Sequence, residues 1–124
     1  MPNIVLVSAA HDRMAGFVDA LQNIDGIRIQ RASTADAALT EARKTRPDLM
    51  VIDETVDRPA LDLVREIMIA NALIYTAVIS NQHPDAFHDA AEGLGILMQL
   101  PDPPGPADAD SLITHLRGVA AVPV

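Results

Sequence analysis

A chain of 124 residues, 49% hydrophobic and 21% charged, has the size and composition of one globular domain with a single core, and not of a disordered segment. Seventeen acidic residues against nine basic ones give a net charge of −8, and cysteine is absent. That balance argues against a nucleic-acid footprint, and the missing cysteines remove disulfides, thiolate metal sites and thiol nucleophiles. With two Phe and one Tyr, no base-stacking platform is expected. Met1-Pro2-Asn3 leads straight into apolar residues with no basic stretch, so no signal peptide is expected. The longest apolar-rich stretch, Met68 to Ser80, contains Asn71 and Thr76 and is too short to span a bilayer. A cytoplasmic protein without membrane or nucleic-acid partners is the expectation.

Taken in order, Ile4-Val5-Leu6-Val7 reads as a buried strand ending at Ser8-Ala9-Ala10. Asp12 opens a helix whose apolar face is Met14, Phe17, Val18 and Leu21, the spacing of one helical stripe. Gly16 interrupts this helix, where it permits close packing or simply costs stability. After the Asp25-Gly26 turn, Ile27-Arg28-Ile29-Gln30 alternates as a strand with one wet face does, and belongs at a sheet edge. Ser33 to Asp36 fits a capping box with Asp in place of Glu. The helix it opens buries Ala35, Ala38, Leu39 and Ala42, and Pro47 closes it.

Leu49-Met50-Val51-Ile52-Asp53 follows, four apolar residues in a row stopped by a carboxylate. It reads as a central strand buried on both faces. Past a loop ending near Pro59, a third helix carries Leu61, Val64, Ile67 and Met68 on one face. Ala72 to Ser80 reads as a fourth strand. Pro84 suits the first turn of a short helix that packs Phe87 and Ala91 and stops at Gly93. Gly95 to Leu100 is a fifth strand, Asp102 to Pro106 a stiff proline connector, and Asp108 to Val119 a last helix with Leu112, Leu116 and Val119 inward.

Strand and helix alternate five times, which predicts right-handed crossovers and a parallel sheet covered on both faces. The expected architecture is an α/β doubly wound (βα)5 fold of flavodoxin-like type with strand order 2-1-3-4-5, as a single domain over 1–124. In such a sheet the carboxyl ends of the strands face the functional crevice. Ser8-Ala9-Ala10, Asp53, Ser80 and Leu100 are therefore delivered to one edge.

With those residues in place, the chain from Ile4 to about Val119 resembles a response-regulator receiver domain. The resemblance is carried by the first strand, Pro47 to Asp53, the fourth strand closing on Ser80, Phe87 to Gly95, and Gly95 to Pro101. It implies that Asp53 holds the position of the phosphoacceptor and Ser80 that of the switch hydroxyl. It also implies losses. The acidic pair that holds Mg2+ falls on Ser8 and Ala9, the lysine on Leu100, the switch aromatic on Leu97, and Glu54 to Pro59 replaces the usual loop after the acceptor. Glu54 and Asp57 are the candidate acidic substitutes. Phosphoryl transfer depends on metal and cation stabilisation of the equatorial oxygens. The resemblance thus implies a receiver-like signalling module, not an enzyme and without cofactor, that acts by binding another protein, a histidine kinase or other signalling protein. Phosphorylation of Asp53 is expected to be absent or inefficient. The fourth helix, fifth strand and fifth helix are the expected contact face, and the edge strand allows a homodimer.

Three other readings compete. A working phosphoacceptor, with Mg2+, would use Asp53, Ser80 and help from Glu54 or Asp57. A flavodoxin-like small-molecule binder would need a glycine- or hydroxyl-rich phosphate loop after the first strand, where Ser8-Ala9-Ala10-His11-Asp12 stands. A hydrolase could draw His11, Asp53 and Ser80 together, but no nucleophile elbow surrounds Ser80. His83, His88 and His115 lack the spacing of metal ligands, and no metal site is expected from them.

Overall fold

The computed structural model describes residues 2–54 and 56–119. The expected domain extent of 1–124 also takes in Met1, Thr55 and residues 120–124, which lie outside the described residues. The strands are β1 (Asn3–Val7), β2 (Arg28–Ala32), β3 (Leu49–Asp53), β4 (Tyr75–Ile79) and β5 (Met98–Leu100). The helices are α1 (Ala15–Gln22), α2 (Ala35–Lys44), α3 (Ala60–Ala70), α4 (Pro84–Ala90) and α5 (Pro106–Val119). All strand pairs are parallel and the order is β2-β1-β3-β4-β5, as alternation of strands and helices predicts.

The central strand shows why both faces must be covered. Met50 and Ile52 join Ala35, Leu63, Val64 and Ile67 in one core, built against α2 and α3. Leu49 and Val51 join Phe17, Leu21 and Leu112 in the other, built against α1 and α5. Alternate residues of a strand point to opposite faces, so a strand buried on both sides must be apolar at every position.

Local details depart from the expected ones, each for a physical reason. The cap of α2 is Thr34, whose Oγ1 accepts from Ala37 N at 3.1 Å, one residue later than a box starting at Ser33 predicts. Asp36 is drawn away to Arg58. The buried face of α3 is Ala60, Leu63, Val64 and Ile67, because the stripe counts from the small Ala60. Leu61 is left half-buried and Met68 is 37% exposed. β4 starts at Tyr75 rather than Ala72, since Asn71 Oδ1 accepts from Leu73 N in a side-chain-closed turn that leaves Leu73 85% exposed. β5 is three residues long, preceded by Gly93 and Gly95 at positive φ, a conformation glycine takes without steric cost. α5 begins at Pro106 instead of Asp108, and its inward residues are Ala109, Leu112, Ile113 and Leu116, with Val119 half-exposed. A Cβ built at Gly16 would lie 3.5 Å from Pro106 Cγ, an ordinary van der Waals contact, so packing does not require glycine there.

Candidate functional site at the carboxyl edge of the sheet

Strand parity sets the site. Ile4 and Leu6 of β1 face the α1/α5 core, as do Leu49 and Val51 of β3. Continuing each series by two residues puts Ser8 and Asp53 on that same side. The register Val7↔Ile52 brings them side by side one step beyond. Both are wholly buried. Ser8 Oγ donates to Asp53 Oδ2 at 2.7 Å and accepts from Ala10 N at 2.9 Å, so the loop leaving β1 is folded around this hydroxyl.

A buried carboxylate is costly unless paired and hydrogen-bonded, and the pairing cation is Arg13. It sits in the single 3-10 turn His11–Met14 that precedes α1. Its Nη1 reaches Asp53 Oδ2 at 3.3 Å, and its Nη2 forms an ion pair with Asp102 in the connector after β5. The planar fork of a guanidinium suits this double engagement. The contact with Asp53 is a charge-assisted hydrogen bond, and that with Asp102 is an ion pair. The turn after β1, the end of β3 and the connector after β5 thus meet on one side chain, itself 36% exposed.

Neither Arg13 nor Asp102 is a residue that sequence reading singled out. Arg13 is the one arginine or lysine between the first strand and the first helix, a signal that goes unread until the turn geometry aims it back at β3. Asp102 is hidden among prolines, yet it is the first acidic residue past β5.

The other anticipated residues go elsewhere. Ser80 is buried, and its Oγ accepts from Gln82 N at 3.1 Å, closing its own turn. Gln99 Nε2 donates to Ser80 O at 3.1 Å and to Gln82 O at 2.7 Å, binding β5 to the β4–α4 loop. Leu100 is wholly buried in the α1/α5 core, and Leu97 packs partly against the same cluster. Ala9 is exposed. Asp57 Oδ1 accepts from Ala35 N at 2.9 Å, so it serves the start of α2. Glu54 is exposed and lines a shallow groove with Asp62, Arg65 and Ala90. His11 is half-buried with Nε2 3.2 Å from Leu6 O, which ties it to the backbone of β1 and not to a serine.

The loop after Asp53 has its own cation. Arg58 bridges Asp36 at 2.7 Å and Glu66 at 2.5 Å. The hydrogen bond to Glu66, then the charges of Glu66, Asp36 and Asp57, raise its pKa above the ordinary value against the lowering effect of burial.

A receiver-like site calls for a divalent cation, which takes near-octahedral oxygen ligands at about 2.0–2.1 Å. The residues present do not fit it. Asp53 Oδ2 already accepts from Ser8 and Arg13, positions 8 and 9 offer no carboxylate, and the Arg13 guanidinium would repel the ion. Among the described residues no group of three or more His, Asp or Glu is placed to hold a metal, and no helix is long and apolar enough to cross a membrane.

No protein-family model and no curated protein matches the sequence. Solved structures do match. The chain is 22% identical to a two-component response regulator of the LuxR family from Aurantimonas, with a TM-score of 0.80 over 94% of this chain and 85% of that one. It is 16% identical to the signal receiver domain of an HD domain-containing protein from Pseudomonas fluorescens, with a TM-score of 0.81 over 97% and 90%. It is 15% identical to a CheY-like response regulator receiver domain protein from Methanospirillum hungatei, with a TM-score of 0.78 over 92% and 91%. At these identities the shared property is architecture: the chain has the fold of response-regulator receiver domains.

Proposed function

We propose that this protein is a receiver-like signalling module that works by binding another protein, with phosphoryl transfer to Asp53 absent or inefficient. The observation that carries the reading is the state of Asp53 itself, whose Oδ2 accepts from Ser8 at 2.7 Å and from Arg13 at 3.3 Å. An acceptor carboxylate needs an approachable oxygen and cations arranged around the incoming equatorial oxygens. Here Ser8 and Ala9 replace an acidic pair and Leu100 lies in the core, so the metal and lysine contributions are missing together. The partner is a signalling protein, a histidine kinase among the candidates. The α4–β5–α5 face is the surface offered, and the module is neither an enzyme nor cofactor-dependent.

A second reading, a working acceptor, draws on one observation. The guanidinium beside Asp53 is itself a cation that could face phosphoryl oxygens.

Amide NMR of the protein with millimolar Mg2+ and then beryllofluoride, an aspartyl-phosphate mimic, separates the two. The expected result is no coordinated shift at Ser8, Asp53 and Ser80, in the wild type as in Asp53→Asn. Shifts at those positions in the wild type alone would establish the acceptor and overturn the binding-only reading.

A further inference from the structure

We infer that Arg13 is a tethered cation that takes the place of a metal ion at this edge and latches the turn after β1, the end of β3 and the connector after β5 into one permanent arrangement. The inference rests on the reading of Asp53 as a carboxylate that does not accept phosphoryl groups, and it names how that site is regulated: from within, by the chain's own guanidinium.

Four facts combine. Asp53 is wholly buried, so its charge demands compensation. The compensating group comes from a different element, the turn before α1. The same guanidinium holds Asp102, whose loop is otherwise a run of prolines with few amides to anchor it. The hydroxyl of Ser8 bonds the same Asp53 oxygen and the amide of Ala10, so the path from β1 to Arg13 is fixed at both ends. A divalent ion at such an edge would neutralise the β3 carboxylate and draw neighbouring acids toward it. Arg13 does both with a permanent charge that cannot dissociate from the chain. The latch therefore holds whatever the metal concentration, and the neighbouring surface of β5 and α5 is presented in one form.

The test compares amide shifts and hydrogen exchange in wild type, Arg13→Gln, Arg13→Lys and Asp102→Asn. In Arg13→Gln the amides of Asp102 and Gly105 should shift, and Ala10 should exchange faster by at least about tenfold, the lower end of the scale of one lost hydrogen bond to a charged group. Arg13→Lys, a point charge without the fork, should keep Ala10 protected but release Asp102. Millimolar Mg2+ should leave the wild type unchanged, because the guanidinium already holds Asp53.

Asp102→Asn keeps Asp53 paired and serves even if Arg13→Gln fails to fold. It should move Asp102 and Gly105 and leave Ala10 alone. Wild-type-like spectra in Arg13→Gln or Asp102→Asn overturn the latch, and a wild type whose Ala10 and Asp102 amides move with Mg2+ alone overturns the substitution for a metal. Either result, with a wild type silent to beryllofluoride, sinks this inference and leaves the binding-module reading standing. A wild type that responds to Mg2+ with beryllofluoride sinks both.

Discussion

Asp53 is a single residue whose burial dictates the chemistry of its neighbours. Removing Arg13 takes its guanidinium from a buried carboxylate, whereas Asp53→Asn removes the charge that the guanidinium pairs with. Arg13→Gln is therefore expected to destabilise the protein by about 1.5–3 kcal/mol, the range for a hydrogen bond to a charged group. The same change in an Asp53→Asn background should cost at least about 1 kcal/mol less, as residues in one network couple. Urea unfolding of the four proteins of this cycle measures the difference, and strict additivity would show that Arg13 does not compensate Asp53. Part of this was legible in the sequence. The run Leu49 to Asp53 announces a strand ending on a carboxylate, and the parity of β1 and β3 places Ser8 beside it. Arg13 was not legible, because residues 11–14 form a 3-10 turn and not the first turn of a longer α-helix. The direction of its side chain follows from that turn, not from the spacing of apolar residues.

At the scale of elements, a cap is decided by one hydroxyl. Thr34 accepts from Ala37 N, and Ser33 is the exposed residue before it. Thr34→Ala should cost about 1 kcal/mol, the usual loss for an N-cap, and Ser33→Ala should fall within about 0.5 kcal/mol of zero, as surface changes do. Chemical denaturation of the two variants discriminates a helix starting at Ala35 from one starting a residue earlier. The same one-residue issue explains how far the elements could be read. Order, type and parallel pairing follow from periodicity, since Ala35, Ala38, Leu39 and Ala42 or Leu49 to Ile52 admit one burial pattern each. Ends depend on local polar bonds that periodicity does not see. Asn71 delays β4 by capping Leu73, and Pro106 is the first residue of α5 although its proline context reads as connector. Ala60 belongs to the buried stripe of α3, but a small residue gives weak apolar signal.

The whole molecule carries a net charge of −8, and its ion pairs divide into two kinds. Arg58 and Arg65 pair with partly or largely exposed acids, and such pairs contribute little and are screened by salt. The raised pKa of Arg58 has no consequence near neutrality. A group raised in the fold contributes stability in full below its ordinary pKa and loses it only as pH climbs through the folded value, and for an arginine both lie in strong alkali. The Arg13–Asp53 pair involves a carboxylate without solvent exposure and is screened far less. What salt mainly relieves is the self-repulsion of the acidic excess, which destabilises a compact state. Raising NaCl from about 10 mM, where the screening length is about 30 Å, to about 1 M, where it is about 3 Å, should therefore raise the melting temperature. A gain of about 1 kcal/mol corresponds to roughly 4 °C for a domain of this size. Differential scanning calorimetry at the two salt concentrations measures it, and a fall would mean that exposed ion pairs outweigh the net repulsion. Arg13→Gln removes one positive charge, so the net charge becomes one unit more negative, and takes away the cation beside the buried carboxylate. Its melting temperature should rise more steeply with salt than that of the wild type, yet remain below it at the highest concentration, because screening does not replace the hydrogen bond and ion pair lost from Asp53.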